Sequence, residues 1–486
     1  MNRRRFLQTA TNAAAASLLA PWIARAGSGT RPPNILLIAS DDHGFEDLGC
    51  YRNQFGHTST STGALSPHLD ALAQQGVRCN DFYVTSPVCT PCRVGLLTGR
   101  HPQRCGMGDN VLFAESNYGI GLPQDQLILP QLLKQRGYTS GCFGKWHLGW
   151  APGSRPLDRG FDEFFGCPAG AVDYYTHWYY ENNSTYGNPD LVWGNHPIRR
   201  EGYLTDLITD ATIGFMEQNR RRPFFAYVPH VAPHYPANAD RVLQAPQRYL
   251  DLYPENPTNP TPSGYTGCTS EMRRGYLASI SAMDDQIARL LATLDRLNLT
   301  EDTLVIFFSD NGGEYRYGGN NFPLRGQKRE LWEGGVRTPC IVRWPGRIQG
   351  GHVRTEPFTQ LDLFSLALSA AGASGPAGKI IDGRDPTALL ADGAITPHEY
   401  LFFRYRHDGN QAQQWAIRQG SVASGGPIYK RGGLGQTSLT DGLYNLATDI
   451  RETTNLRTAQ PAVATALQAT YNAWWSDLLA ANQNGL

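Results

Sequence analysis

The reading of this chain turns on "SPVCTPCRVGLLTGR", Ser86 to Arg100. Cys89-Thr90-Pro91-Cys92 is a C-x-x-C with proline third, the pattern of a dithiol that cycles between thiol and disulfide. Pro91 suits a first helical position and Val94 to Leu97 continue the helix, which sets the first thiol at a helix N-terminus as such redox sites require. That chemistry, however, sits on a thioredoxin-sized unit, and a chain of 486 residues is several times larger. A zinc reading of the pair also fails, because no second C-x-x-C and no His pair at zinc spacing follows it within the length of a zinc finger.

Outward from this stretch, four short apolar runs each end in chemically capable residues. Ile35 to Ala39 leads into Ser40-Asp41-Asp42-His43-Gly44, and Tyr138 to Phe143 into Gly144-Lys145-Trp146-His147. Phe224 to Val228 leads into a segment with His230 and His234, and Leu304 to Phe308 into Ser309-Asp310-Asn311-Gly312-Gly313. Continuous apolar runs of this length read as strands buried on both faces, as in a parallel sheet covered by helices. Helical patterns over 126–136, 205–219 and 278–297 lie between them. The alternation predicts an α/β fold: a large, mixed, mostly parallel sheet sandwiched by helices, with its site beyond the carboxyl ends of the strands. All four polar clusters fall at that edge. From 370 to 393 the chain is rich in Ala, Gly, Pro and Asp. Short strands over 399–405, 414–418 and 442–446 and a closing helix over 461–479 follow. We therefore expect a main domain over 31–385 and a smaller C-terminal α+β subdomain over 386–486 with a short antiparallel sheet.

Composition narrows the function. Hydrophobic residues make up 41% of the chain, ample for a large core, and 43 basic side chains balance 43 acidic ones. Without a basic excess no nucleic-acid partner is expected. Residues 1–26 read as a signal peptide. Arg3-Arg4-Arg5-Phe6-Leu7 precedes a short alanine-rich stretch, and Ala24-Arg25-Ala26 has the form of a cleavage site. The arginines followed by Phe-Leu resemble a twin-arginine signal, which hands folded proteins to the export machinery. The stretch is too short to span a bilayer, so we expect no stable membrane insertion and a periplasmic or secreted product. Nine cysteines are an odd number, which in an oxidising compartment leaves one for other chemistry.

Taken together, Cys89-Thr90-Pro91-Cys92-Arg93 followed by Gly95 to Arg100 closely resembles the signature of type I (formylglycine-dependent) sulfatases in the alkaline-phosphatase-like superfamily. Asn34 to Gly44, Gly144 to Gly149, Arg159 to Gly166, Pro233-His234, Ser309 to Gly313, Leu324 to Lys328, Glu333-Gly334-Gly335 and Leu443 to Leu446 follow the same family pattern in the same order. The resemblance implies that Cys89 is oxidised to formylglycine by a maturation enzyme. It further implies that one calcium ion is held by Asp41, Asp42, Asp310, Asn311 and the modified Cys89. Cys92 departs from the usual serine, which bears on which maturation enzyme acts.

The residue chemistry agrees with that implication. Asp41, Asp42, Asp310 and Asn311 offer only oxygen ligands, suited to calcium or magnesium rather than zinc. Their negative charge calls for cations, and Arg93, Lys145 and Lys328 can supply them. In the implied cycle a hydroxyl of the formylglycine hydrate, polarised by the metal and Arg93, attacks sulfur while His234 or Lys328 protonates the departing alcohol oxygen. The second hydroxyl then loses its proton to His147, the C–O bond breaks, sulfate leaves and the aldehyde returns. His230 is left as a possible substrate contact. The aromatic stretch from Asp173 to Tyr180, whose neighbourhood resembles arylsulfatases of the N-acetylgalactosamine-4-sulfatase type, favours a sulfated carbohydrate over a small aryl sulfate. The rivals are a phosphatase or phosphonate monoester hydrolase of the same superfamily and, if Cys89 stays unmodified, a non-catalytic carbohydrate-binding protein.

Overall fold

Asn34–Ser40, Phe224–Pro229 and Thr303–Ser309 are buried along their whole lengths. Strands apolar on both faces need partners on both edges and layers above and below, which places these three in the middle of a sheet. The computed structural model describes residues 31–108, 121–180, 187–237, 242–258, 262, 265–406, 413–433 and 441–483. The signal peptide read over 1–26 lies outside them.

The main sheet has ten strands, in the order His352–Arg354, Val77–Cys79, Cys340–Arg343, Thr303–Ser309, Asn34–Ser40, Phe224–Pro229, Thr139–Lys145, Glu163–Cys167, Val192–Trp193 and His196–Pro197. The five from Thr303–Ser309 to Glu163–Cys167 are parallel, and antiparallel pairings flank them on both sides. Alternate residues of the central strand feed two cores. Ile35, Leu37 and Ala39 pack with Val94, Leu96 and Leu97 of helix Cys89–Thr98 and with helix Gln360–Ala371. Leu36 and Ile38 pack with helices Leu204–Asn219 and Ser270–Arg296. The register sets Ser40 beside Ser309 and Ala39 beside Pro229. The residues that follow therefore emerge together at one sheet edge.

Three local differences from the sequence expectation have physical causes. Ser270–Arg296 begins eight residues before the expected 278, capped by the Thr269 hydroxyl, which accepts from the Met272 amide. Its first turns bury Arg273, paired with Asp47, where an apolar stripe would ordinarily signal a helix. The pattern over 126–136 shortens to Leu129–Lys134, with Pro130 in its first turn. The cysteine helix starts at Cys89 rather than at Pro91, whose missing N–H costs nothing in a first turn.

Tyr400–Arg406, Gln413–Gln419, Tyr429–Gly433 and Asp441–Asn445 form a separate four-stranded antiparallel sheet. Tyr429–Gly433 escaped the sequence reading because its YKRGG carries no apolar alternation. Leu401, Phe403 and Tyr405 join the main core. On the opposite face Phe402 stacks on Trp474 of the closing helix Pro461–Gln483, ring centroids 4.7 Å apart. Pro33–Leu486 pack as one unit.

Candidate active site

Helix Cys89–Thr98 points its N-terminus at the carboxyl edge of the sheet, and Arg93, one turn on, shares the face of Cys89. Arg93 Nη2 donates to Asp41 Oδ2 at 3.1 Å and to Asp310 Oδ2 at 2.8 Å, and Nη1 donates to the Lys145 carbonyl at 2.7 Å. One guanidinium thus ties together the residues after two central strands and the end of a third. Lys145 Nζ lies 2.5 Å from Asp41 Oδ2 and 3.3 Å from Cys89 Sγ. Lys328 Nζ lies 2.7 Å from Asp42 Oδ2. Asp42 itself adopts a left-handed backbone, φ 61°, and its amide donates to Asp310 Oδ1 at 3.3 Å.

All of these groups are at least 96% buried, so their charges act at low dielectric. Burial pushes Asp310 up to about 6, helped by the like charge of Asp41. Burial acts the same way on Asp41, but Lys145, His234 and Arg93 outweigh it and hold that carboxyl below its ordinary range. Three carboxylates face three cations, and a divalent ion added to that set leaves positive charge for an anionic substrate.

The donor set fits a hard cation. Asn311 Nδ2 donates to Asp42 Oδ1 at 2.7 Å, while the buried Asn311 Oδ1 has no hydrogen-bond partner among the described residues. An orphaned amide oxygen beside buried carboxylates is what an oxygen-seeking ion would satisfy. Asp41, Asp42, Cys89 and His234 each present one ligand-type atom, all within 4.8 Å of one another.

Cys89 is 1% exposed, and burial with the nearby Asp41 carboxylate pushes its thiol up to about 12. A redox C-x-x-C needs the opposite, an accessible thiol of lowered pKa. Cys92 is buried in the main core, which raises its pKa as well, and all nine cysteines are free. The dithiol reading falls.

The histidines divide. His147, φ 56°, follows the Lys145 strand end, and its carbonyl accepts from the Thr90 hydroxyl at 2.9 Å, beside Cys89. His234 Nε2 lies 3.6 Å from Asp42 Oδ2, and burial with Lys328 and Lys145 holds its imidazole well below the usual range. His230 is 0% exposed, its ring nitrogens have no partner among the described residues, and burial lowers it to about 4. His230 is thus a fully buried imidazole whose pKa is lowered by that burial. Sequence reasoning placed Tyr174 in an aromatic stretch but missed its role at the site, where its hydroxyl donates to the His234 carbonyl at 2.9 Å. It also missed Gly170, where any side chain would strike the His147 ring.

A family model described as Sulfatase matches residues 33–373. The chain belongs to the sulfatase family. Among its relatives, N-acetylgalactosamine-6-sulfatase of Canis lupus familiaris is 34% identical over 396 residues, 78% of this chain and 70% of that protein. Arylsulfatase A of Homo sapiens is 34% identical over 417 residues, 80% of this chain and 74% of that one. The crystal structure of Ps i-CgsB in complex with k-i-k-neocarrahexaose superposes with a TM-score of 0.78 at 28% identity, covering 91% of this chain and 93% of that one. This sulfatase is accordingly a sulfuric ester hydrolase with the alkaline-phosphatase-like fold expected of its sequence.

Proposed function

We propose that this sulfatase hydrolyses sulfate monoesters of carbohydrates with formylglycine, made from Cys89, as its nucleophile and one calcium ion at its site. The observation that carries the reading is Cys89 itself: a buried thiol pushed up to about 12, set between Asp41 and Lys145. As a thiol it is inert in the one place where the site's charges converge. As the hydrate of formylglycine, residue 89 supplies one hydroxyl to attack sulfur and a second through which sulfate is expelled. Asp41, Asp42, Asp310 and Asn311 would hold the calcium, which supplies positive charge for the sulfuryl oxygens.

Arg93 and Lys145 hold the anionic centre at residue 89. His234, with Lys328 beside it across Asp42, delivers the proton to the departing ester oxygen. Burial, with the neighbouring ammonium groups, holds the imidazole low, and an arriving sulfate offsets the ammonium charges and favours its protonated form. His147, beside Thr90, takes the proton when sulfate is released.

Sulfated carbohydrate is favoured by a groove of about 390 Å³ whose lining includes His177, Trp178, Arg199 and Arg200, two arginines against the single carboxylate of Glu201. The segment leading to it is anchored at the site by Gly170 against His147 and Tyr174 against His234. Among the described residues no helix is long and apolar enough to cross a membrane. The twin-arginine-type start supports export of the folded protein to the periplasm or beyond. A maturation enzyme would then modify Cys89 in the cytoplasm. The proposed C-terminal subdomain of 386–486 reaches the short helix Glu333–Val336 through Lys430, whose Nζ lies 2.9 Å from Glu333 Oε1.

Mass spectrometry of the peptide spanning residue 89 tests the reading. The expected species is an aldehyde that reacts with a hydrazide probe, in protein that turns over 4-nitrophenyl sulfate faster than the matched phosphate and loses activity to a calcium chelator. Active protein with an intact thiol, or with a preference for the phosphate, contradicts it.

A further inference from the structure

His234 lies in the loop after strand Phe224–Pro229 and is held by more than that loop. Tyr235, the next residue, stacks on it with ring centroids 4.2 Å apart and planes at 28°. The Tyr235 carbonyl accepts from His234 Nδ1 at 2.8 Å, which leaves Nε2 for the Asp42 side of the site. The opposite face of the tyrosine is covered as well. Tyr317, from the short helix Tyr315–Tyr317 beyond the Asp310 to Gly313 loop, stacks on Tyr235 at 4.1 Å and 30°. Lys328 Nζ lies 5.9 Å from the centroid of the same tyrosine ring, within reach of its electron-rich face. A single aromatic ring therefore stacks on one of the side chains able to supply the proton and stands near the other, and its partner ring belongs to a different loop. A ring clamped on two faces has little rotamer freedom left, so what it touches is held with it.

We propose that Tyr235 is a positioning residue for leaving-group protonation. Its carbonyl selects the His234 tautomer, and its ring, backed by Tyr317, keeps His234 Nε2 and Lys328 Nζ on the side from which the ester oxygen departs. The inference rests on the assignment of His234 as acid made above. In the step concerned the S–O bond to the alcohol breaks, the electron pair stays on that oxygen, and the proton from the acid neutralises it.

The need for that proton depends on the leaving group. A nitrophenolate departs nearly unaided, whereas phenolate or a sugar alkoxide does not. Kinetics on 4-nitrophenyl sulfate and phenyl sulfate therefore separate positioning from general structural damage. Tyr235→Phe, which keeps ring and carbonyl, should match the wild type on both. Tyr235→Ala should lose kcat about tenfold more on phenyl sulfate than on 4-nitrophenyl sulfate, with KM changed less than about threefold, and His234→Ala should show the same selectivity more strongly. Tyr317→Ala, which leaves Tyr235 present but unclamped, should follow in the same direction with a smaller loss. That variant decides the matter should Tyr235→Ala fail to fold.

If His234→Ala is selective while the Tyr235 and Tyr317 variants lose equally on both esters, or lose through KM, the positioning role is overturned and the acid assignment stands. If His234→Ala is itself unselective, the acid assignment fails and this inference goes with it. A wild type that turns over neither ester overturns both.

Discussion

Arg93 shows how much one side chain can decide. It is 1% exposed and joins Asp41, Asp310 and the Lys145 carbonyl. Truncating it leaves two buried carboxylates without their shared cation, a change that costs about 3–5 kcal/mol where such pairs are broken. Arg93→Ala should lower kcat/KM on 4-nitrophenyl sulfate by at least about a hundredfold and lower the melting temperature. Arg93→Lys should restore much of the stability but little of the activity, because an ammonium cannot span both acids as the guanidinium fork does. Melting curves beside kinetics check both halves, and an active Arg93→Lys would contradict the bridging role. Arg93 was legible because it falls four residues after Cys89 on a recognisable helix. Tyr235 was not, since its identity says nothing until Tyr317 is seen against it. Cys92, in place of the usual serine, is a small thiol buried in the main core.

At the scale of elements, the strands of the parallel centre were readable because each is apolar throughout and ends in a polar cluster. The segment from Gly170 to Trp178 was readable only as aromatic. In the structure it begins against His147 and ends in the groove that holds Arg199 and Arg200, just beyond the edge hairpin of Val192–Trp193 and His196–Pro197. The two arginines are exposed, and neither forms a described ion pair, whereas Arg200 stands 5.9 Å from the centroid of the Trp193 ring. Replacing both with alanine should raise KM for a sulfated oligosaccharide about three- to tenfold, the scale of exposed charge contacts. The kcat/KM for 4-nitrophenyl sulfate should stay unchanged. A parallel loss on the small ester would place these residues at the chemistry instead.

Across the whole molecule, a buried ionic network fastens the C-terminal sheet to the main one. Lys430 Nζ lies 2.9 Å from Glu333 Oε1 and 3.3 Å from Glu452 Oε1, and the Glu333 amide donates to Glu452 Oε2 at 2.7 Å. Arg418 reaches Asp81 at 2.7 Å from the same sheet. Burial pushes Glu333 up, but Lys430 and Arg337 outweigh it and hold it at about 2. Glu452 has Lys430 alone, and burial carries it from 4.5 to about 7. Between those two values the folded protein keeps a proton that the unfolded chain has lost, so rising pH costs stability across that window. Glu452→Gln removes the titration while its amide oxygen can still accept from Glu333. Its melting temperature should therefore gain on the wild type from about pH 5 to about pH 8, and a flat or falling difference would refute the account.

Local order determined much of this protein by itself. Apolar runs specify strands at any position in a chain, and the family motifs name Cys89, the carboxylates and the cations because their spacing survives without a fold. Only tertiary structure could decide that Tyr235 clamps His234 and that His230 is core. It alone also makes Glu452 answer to a turn 119 residues away. Those outcomes depend on burial and on partners brought together by sheet register, and neither is a property of the neighbouring letters.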